Sequence, residues 1–508
     1  MRLLPMNQDA AAGALLQQVE ARTNVLRDGE SKAQKSRQEL AFIATVIFSL
    51  LLYLRPQEIY PGIFGVLPLA KLFAVFAMSA YLISKMRGGE RISIWPIEMK
   101  MILVIFFLGI LFIPVAANPG MSIDKLNDPF LKVVVIFFLM INLVNTRKRF
   151  RSLVSAVVLC GIPLGFSAIK SYLNGEFVLR GTRIQGLGEG LFGNPNDLAI
   201  CLNMLLPLTI VLGLTSHGIR RLLFLGSALI MATGIMVTYS RGGFLGLIFA
   251  LLFMLWKLSQ RRRIRTMILV FVAVAVLLPV LPGSYGKRIL TIFSSDSDTT
   301  GSSNERKELL DNALNVISHH PIVGVGFGNF PIYSIHELAA HNSYVEITAE
   351  LGVFGLLAYL IVLFSPLLSL RRLEKVVGRE IFKVEPNAKR KQLTGVLLKR
   401  SAQPGEDDEG LKKEFYYLIV GVQATLISYM VVSFFGSVQY LWYLYYPVAY
   451  AVALVVIHRL ETYGEVEVAS EKKVLLAQSM DEKGSLWNPV VKKGVYWSKS
   501  STRDSSSS

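Results

Sequence analysis

The sequence predicts an all-α fold, a polytopic bundle of about 12 transmembrane helices with one large extramembrane loop between helices 9 and 10. Three observations predict it. Apolar residues make up 52% of the 508 residues and charged residues only 18%, against about 25% charge in soluble domains. Runs approaching 20 apolar residues, about the length that crosses a hydrocarbon core, recur along the chain. The cations, 53 Lys and Arg against 36 Asp and Glu for a net +17, fall in short clusters between those runs. That arrangement belongs to a cytoplasmic membrane surface rather than a nucleic-acid-binding face, so no nucleic-acid partner is expected and a water-soluble enzyme is excluded.

Each element follows in order. Residues 1–38 form a polar, cytosolic amino-terminal segment, since MRLLPMNQDAAAG lacks the apolar core of a cleavable signal peptide. Residues 39–282 hold helices 1–9, over Leu40–Leu54, Phe64–Ser84, Met99–Val115, Phe130–Val144, Leu153–Ile169, Leu198–Leu214, Leu222–Val237, Gly242–Leu258 and Met267–Leu281. Residues 283–342 are the large outer loop, and helix 10 lies within 343–370 around the run Val345–Leu370. A cytosolic insertion with charges of both signs spans 371–414, and helices 11 and 12 lie within 415–458, at Phe415–Phe434 and Leu441–Ile457. The cytosolic tail, 459–508, ends in SKSSTRDSSSS and is expected to be disordered, because it has nothing apolar to bury.

Orientation comes from Lys and Arg in alternate loops. Lys85, Arg87 and Arg91, then Arg147, Lys148, Arg149 and Arg151, then Arg220 and Arg221, then Lys257 and Arg261 to Arg265 mark the cytosolic side. The interleaved loops are sparse, with Arg55 and Lys125, so both termini are expected in the cytosol. The two cysteines, Cys160 and Cys201, lie inside apolar runs and offer neither a disulfide framework nor a metal site.

The residues that carry chemistry map to the outer side. The loop VLRGTRIQGLGEGLFGNPNDLAI holds Arg180 and Arg183 against the positive-inside trend, with Gly186, Gly188, Gly190 and Gly193 allowing close backbone approach and Asn196 a candidate helix N-cap. In Tyr239-Ser240-Arg241-Gly242-Gly243 the arginine lies close to the membrane surface between two apolar runs. A cation there snorkels or pairs, and the planar guanidinium fork suits phosphate oxygens. From Arg306 to Glu350 come His319, His320, His336 and His341, four of the six histidines. His336 and His341 are five apart, not the four that places both on one helix face, so no metal is expected. Gly324-Val325-Gly326-Phe327-Gly328 follows no parallel-strand pattern and is read as a turn folding the outer loop back on the bundle. His341 stands at the mouth of helix 10 with Asn342 beside it and Glu346 and Glu350 at i and i+4, either a helix-capping cluster or a general base with carboxylate neighbours. Those carboxylates need partners, which Arg241 or Arg183 would supply. Lys71 and Lys132 interrupt apolar runs near their outer ends and are read as snorkelling.

The ordered set RIQG with GNPN, then SRGG, then an arginine followed by HHPIVGVGFGNF, then HNSYVEITAELGVFG, resembles the bacterial O-antigen ligase and polymerase family. The resemblance is close over about Leu153 to Leu370 and topological elsewhere. It implies a multi-pass inner-membrane glycosyltransferase with a periplasmic active site, working without metal, nucleotide sugar or other cofactor. It implies a donor glycan on undecaprenyl diphosphate, an acceptor hydroxyl such as a lipid A core sugar or another glycan, and surrounding membrane lipids. By motif, Arg183 and Arg241 bind the diphosphate and His341 acts on the acceptor hydroxyl, with Arg306 matching the family's loop arginine. The stretch LGEGLF lengthens the spacing between RIQG and GNPN, so Arg180 or Arg183 is the equivalent arginine. No nucleophilic carboxylate is evident, which leads us to expect single displacement with inversion. Polymerase and protein O-oligosaccharyltransferase activities share the donor. A transporter or flippase is the rival of another class, which would place charges at the midplane rather than at one side.

Overall fold

In the computed structural model, the described residues are 36–64, 68–88, 92–178, 183–184, 186, 190–259, 302–382 and 406–462. Among the described residues, ten helices are long and apolar enough to cross a membrane. They are α1 (Ser36–Ile59), α2 (Leu69–Gly88), α4 (Pro119–Leu143), α5 (Arg147–Leu173), α6 (Pro195–Thr215), α7 (Gly218–Val237), α8 (Arg241–Leu258), α10 (Ser343–Phe382), α11 (Glu406–Val432) and α12 (Trp442–Thr462). Between them lie α3 (Ile97–Leu111) and α9 (Ser302–His319).

The third predicted span is shorter than a full crossing, because α3 has only 15 residues. It nevertheless joins the two ends of the bundle. It is entered beside Asn142, whose side chain accepts from Ile94 N at 3.1 Å, and it leads through a 3-10 turn (Ile113–Val115) to Asn118, bonded to Asn329. The ninth predicted span, Met267–Leu281, lies outside the described residues, as do residues 1–35 and the tail from 463 onward.

Hydrophobicity all round α6 fits its central place, packed against α5, α7, α8 and α11. With lipid on the outside, helix association depends on close packing, and small residues provide it. A Cβ on Gly234 of α7 would stand 2.9 Å from the Gly165 Cα of α5, so the two backbones nearly touch. On the other flank α10 packs against α3 and α11, while α12 meets α1 through Tyr53 and Tyr446, ring centroids 5.1 Å apart.

The two ends differ in charge. At one, Arg151 pairs with Glu414 at 2.5 Å, and Arg147 donates to the Leu411 carbonyl at 3.2 Å. There too Lys257 pairs with Glu374 at 2.7 Å. These are the loops the cation count assigned to a single side. The Lys257 pair also explains a boundary that hydropathy misses. Helix 10 continues past the predicted end at 370 to Phe382, because Glu374 is held by Lys257 of α8 and by Gln423 of α11 at 3.2 Å. In the same way α11 begins at Glu406, inside the stretch read as a linker.

Candidate active site

The opposite end gathers the motifs. Pro195 takes the first position of α6, where its missing N–H and fixed φ suit a helix start, so the cap falls on Asn194, whose Oδ1 accepts from Asn196 N at 2.9 Å. Asn196, expected as the cap, is instead free to accept from the Ser240 hydroxyl at 3.0 Å. Ser240 in turn caps α8, accepting from Gly243 N at 3.2 Å. GNPN and SRGG are therefore hydrogen-bonded neighbours. RIQG joins them: Gly186 N donates to the Gly193 carbonyl at 3.1 Å, and Ile184 is buried in a short hairpin of β1 (Phe177–Val178) with β2 (Arg183–Ile184). Only the backbone of Arg183 is described; its side chain, Arg180 and Gly188 lie outside the described residues.

Arg241 opens α8 and is only 9% exposed. The neighbouring glycine lets α8 come up against the loop joining α11 to α12, since a Cβ on Gly242 would meet the Phe435 side chain at 2.5 Å.

The same loop receives His341 from the other side. Ser343 N donates to the Ser433 carbonyl at 2.9 Å, its hydroxyl donates to the Gly436 carbonyl at 2.7 Å, and it accepts from Val438 N at 3.0 Å. Asn342 caps α10, its Oδ1 accepting from Tyr344 N at 3.0 Å. His341 itself has φ 52°, a left-handed conformation that a non-glycine residue holds only when its surroundings over-determine it. Glu346 is one of those surroundings, accepting from Ala340 N at 2.8 Å, from Gln439 Nε2 at 3.1 Å and from the Ser437 hydroxyl.

Glu350, one turn on, accepts from the Tyr440 hydroxyl at 2.7 Å and from Phe330 N at 3.4 Å. Burial, and then the neighbouring Glu350 charge, push the Tyr440 phenol well above its ordinary range, so it keeps its proton and donates. The donors described around these two carboxylates are neutral, most of them from the 433–440 loop. Neutral donors satisfy a buried carboxylate without burying a second charge, which would add its own desolvation cost.

Gly324 to Gly328 form the expected turn, and a break in α10 shows why it is needed. Gly352 has φ 64° and ψ −164°, which interrupts the helical ladder. The freed carbonyls of Ala349 and Glu350 accept from Val325 N at 2.9 Å and Gly326 N at 3.0 Å, while Val353 N donates to the Pro321 carbonyl at 2.9 Å. Phe327 then stacks on Tyr440 at 4.0 Å, and the buried Asn329 ties the turn to α4 through Ser122 at 2.8 Å.

Residues 226–360 match the model of the O-antigen ligase family. Over that segment the chain is similar to the O-antigen ligase family. No curated protein matches the chain. The matched segment of this ligase-family domain contains α8, α9, the glycine turn and the first half of α10, and so holds Arg241, Arg306, His341, Asn342, Glu346 and Glu350. The RIQG and GNPN loops and the 433–440 loop lie outside the match, although they close the same site.

Arg306 lies on α9, partly buried. His319 and His320 are exposed, with His319 Nδ1 2.9 Å from the Asn315 carbonyl of its own helix. The side chain of His336 lies outside the described residues, and no group of three His, Cys, Asp or Glu among the described residues is placed to hold a metal. Lys132 pairs with Asp128 at 2.6 Å rather than simply reaching for water, and Lys71 is exposed.

Three features escaped the sequence reading. Tyr440, Gln439 and Ser437 supply the carboxylates' donors. Asn329 anchors the turn. Arg55, in a left-handed conformation at the outer end of α1, pairs with Glu58 and stacks over Trp442 at 5.2 Å, while Glu58 accepts from Leu191 N at 3.2 Å in the GNPN entry loop. One signal for Arg55 was available, its place as a cation in a loop otherwise poor in them.

Proposed function

We propose that this membrane glycosyltransferase moves a glycan from undecaprenyl diphosphate to an acceptor hydroxyl, a lipid A core sugar, on the periplasmic face of the inner membrane. The observation that carries the reading is the convergence of Arg241 and the His341 turn on one loop, at the end of the bundle opposite the basic clusters. By the positive-inside rule the basic end faces the cytosol and the site faces outward, where lipid-linked glycans are polymerised and attached.

The chemistry needs two things. As the bond from the anomeric carbon to the diphosphate oxygen breaks, negative charge collects on the lipid diphosphate. Arg241 at the positive end of the α8 dipole, with Arg183 or Arg180 from the hairpin, supplies fixed positive charge there in place of a divalent cation. As the acceptor oxygen attacks, its proton passes to the His341 imidazole. Asn342, Glu346 and Glu350 position that histidine, and Arg306 assists from the outer loop. Direct attack by the acceptor inverts the anomeric centre. The candidate charges gather at one end rather than at mid-membrane, which favours transfer over transport.

Polymerase and ligase use the same donor, and surface glycans separated on a gel distinguish them. In a deletion strain we expect lipid A core without attached repeats while polymer stays on its carrier, restored by wild type and not by His341→Ala. Core carrying a single repeat would instead assign polymerisation, and rescue by His341→Ala would remove the mechanism.

A further inference from the structure

The outer end of α1 is shaped by Pro56. A proline disfavours the right-handed helical conformation at the residue before it, and Arg55 takes a left-handed one, with φ 45° and ψ 55°. A non-glycine residue stays in that region only when its surroundings fix it, and here three contacts do so. Arg55 pairs with Glu58, its guanidinium lies 5.2 Å from the ring centroid of Trp442, and the Glu58 carboxylate accepts from Leu191 N at 3.2 Å. We propose that Arg55 and Glu58 are positioning residues for the transfer reaction, a strap that holds the loop of RIQG and GNPN against the start of α12.

The strap reaches the donor side of the site through the backbone. Gly190 has no room for a side chain, since a Cβ there would fall on the Glu58 carboxylate. Leu191 opens the 3-10 turn Leu191–Gly193. Gly193 N donates to the Gly190 carbonyl at 2.9 Å, and the Gly193 carbonyl accepts from Gly186 N at 3.1 Å. Gly186 closes RIQG, so a carboxylate from α1 fixes the place of the segment that carries Arg183. On its other side the strap meets Trp442, which opens α12 just after the 433–440 loop on which Arg241 and His341 converge. The paired side chains are only 22% and 19% exposed, so water and salt screen them less than a free surface pair. Both residues lie outside the segment that matches the ligase family.

The proposal rests on the transferase reading, and its test pairs transfer kinetics with amide hydrogen exchange over residues 190–193. Both use the full-length purified protein, with a polyprenyl-diphosphate-linked glycan as the donor. Glu58→Ala removes the acceptor of the Leu191 N–H. Exchange there should rise about tenfold, and kcat/KM for the donor should fall about tenfold with the acceptor KM unchanged. Glu58→Gln keeps an oxygen for Leu191 N but loses the ion pair, and should retain part of both. Because the two residues act as one strap, Arg55→Gln should cost less in a Glu58→Ala background than in the wild type. If Glu58→Ala does not fold, Glu58→Gln and Arg55→Gln decide. Unchanged exchange, an acceptor KM that moves as far as the donor's, or losses at Arg55 and Glu58 that simply multiply would overturn the strap. A wild-type protein that transfers nothing, together with faster exchange in Glu58→Ala, would instead contradict the transferase reading and support the strap's hold on the loop.

Discussion

Arg241 and Glu346 make opposite demands on a substitution. Arg241 is proposed to present a flat fork to phosphate oxygens, so Arg241→Lys, which keeps the charge and loses the fork, should slow transfer by about 10- to 100-fold. Glu346 works through its neighbours: three donors converge on its carboxylate. In Glu346→Gln the new amide would face one of them donor to donor, loosening the turn that holds His341. We expect a lower kcat with little change in donor KM, measured by steady-state transfer; unchanged kinetics would show that the carboxylate does not position the histidine. The candidate arginine and carboxylates were legible in the sequence because each breaks a rule, a charge beside apolar runs. Tyr440, Gln439 and Ser437 were not, since a hydroxyl or amide in an irregular loop breaks none.

Among the elements, α10 is where local strain and site geometry meet. Its break at Gly352 frees two carbonyls for the glycine turn, and the turn delivers Phe327 to Tyr440 and so to Glu350. A Cβ on Gly352 would lie 2.0 Å from the Ile322 carbonyl oxygen. Its φ and ψ also fall in a region essentially confined to glycine, where another residue costs about 1–3 kcal/mol before any clash. Gly352→Ala should therefore lower thermal stability by at least that amount and reduce transfer. Gly226→Ala, with nothing near the added carbon, should melt as wild type. Equal melting of both variants would argue against the break as a strained joint. Hydropathy located ten of the spans among the described residues but not their ends. Apolar residues stop near Leu370 while the Lys257 to Glu374 pair carries α10 onward, and Asn194 rather than Asn196 caps α6 because Pro195 sits between them.

Over the whole molecule, charge and chemistry are separated along the bundle axis. Cation clusters, with their few acidic partners, tie helix ends together at one end, while at the other 239–243 and 339–343 close on the 433–440 loop and Asn196 is tied to the first of them through Ser240. The order of motifs in the sequence indicated a single site; it did not reveal that the 433–440 loop joins the parts, because that loop has no motif of its own. The central claim is that Arg241 and His341 act together on a lipid diphosphate donor. It is tested most directly by transfer with purified protein from a polyprenyl-diphosphate-linked glycan to lipid A core, comparing wild type with Arg241→Ala and His341→Ala variants of unchanged melting temperature. We predict that each variant loses at least about 100-fold in rate; wild-type rates from either would contradict the account.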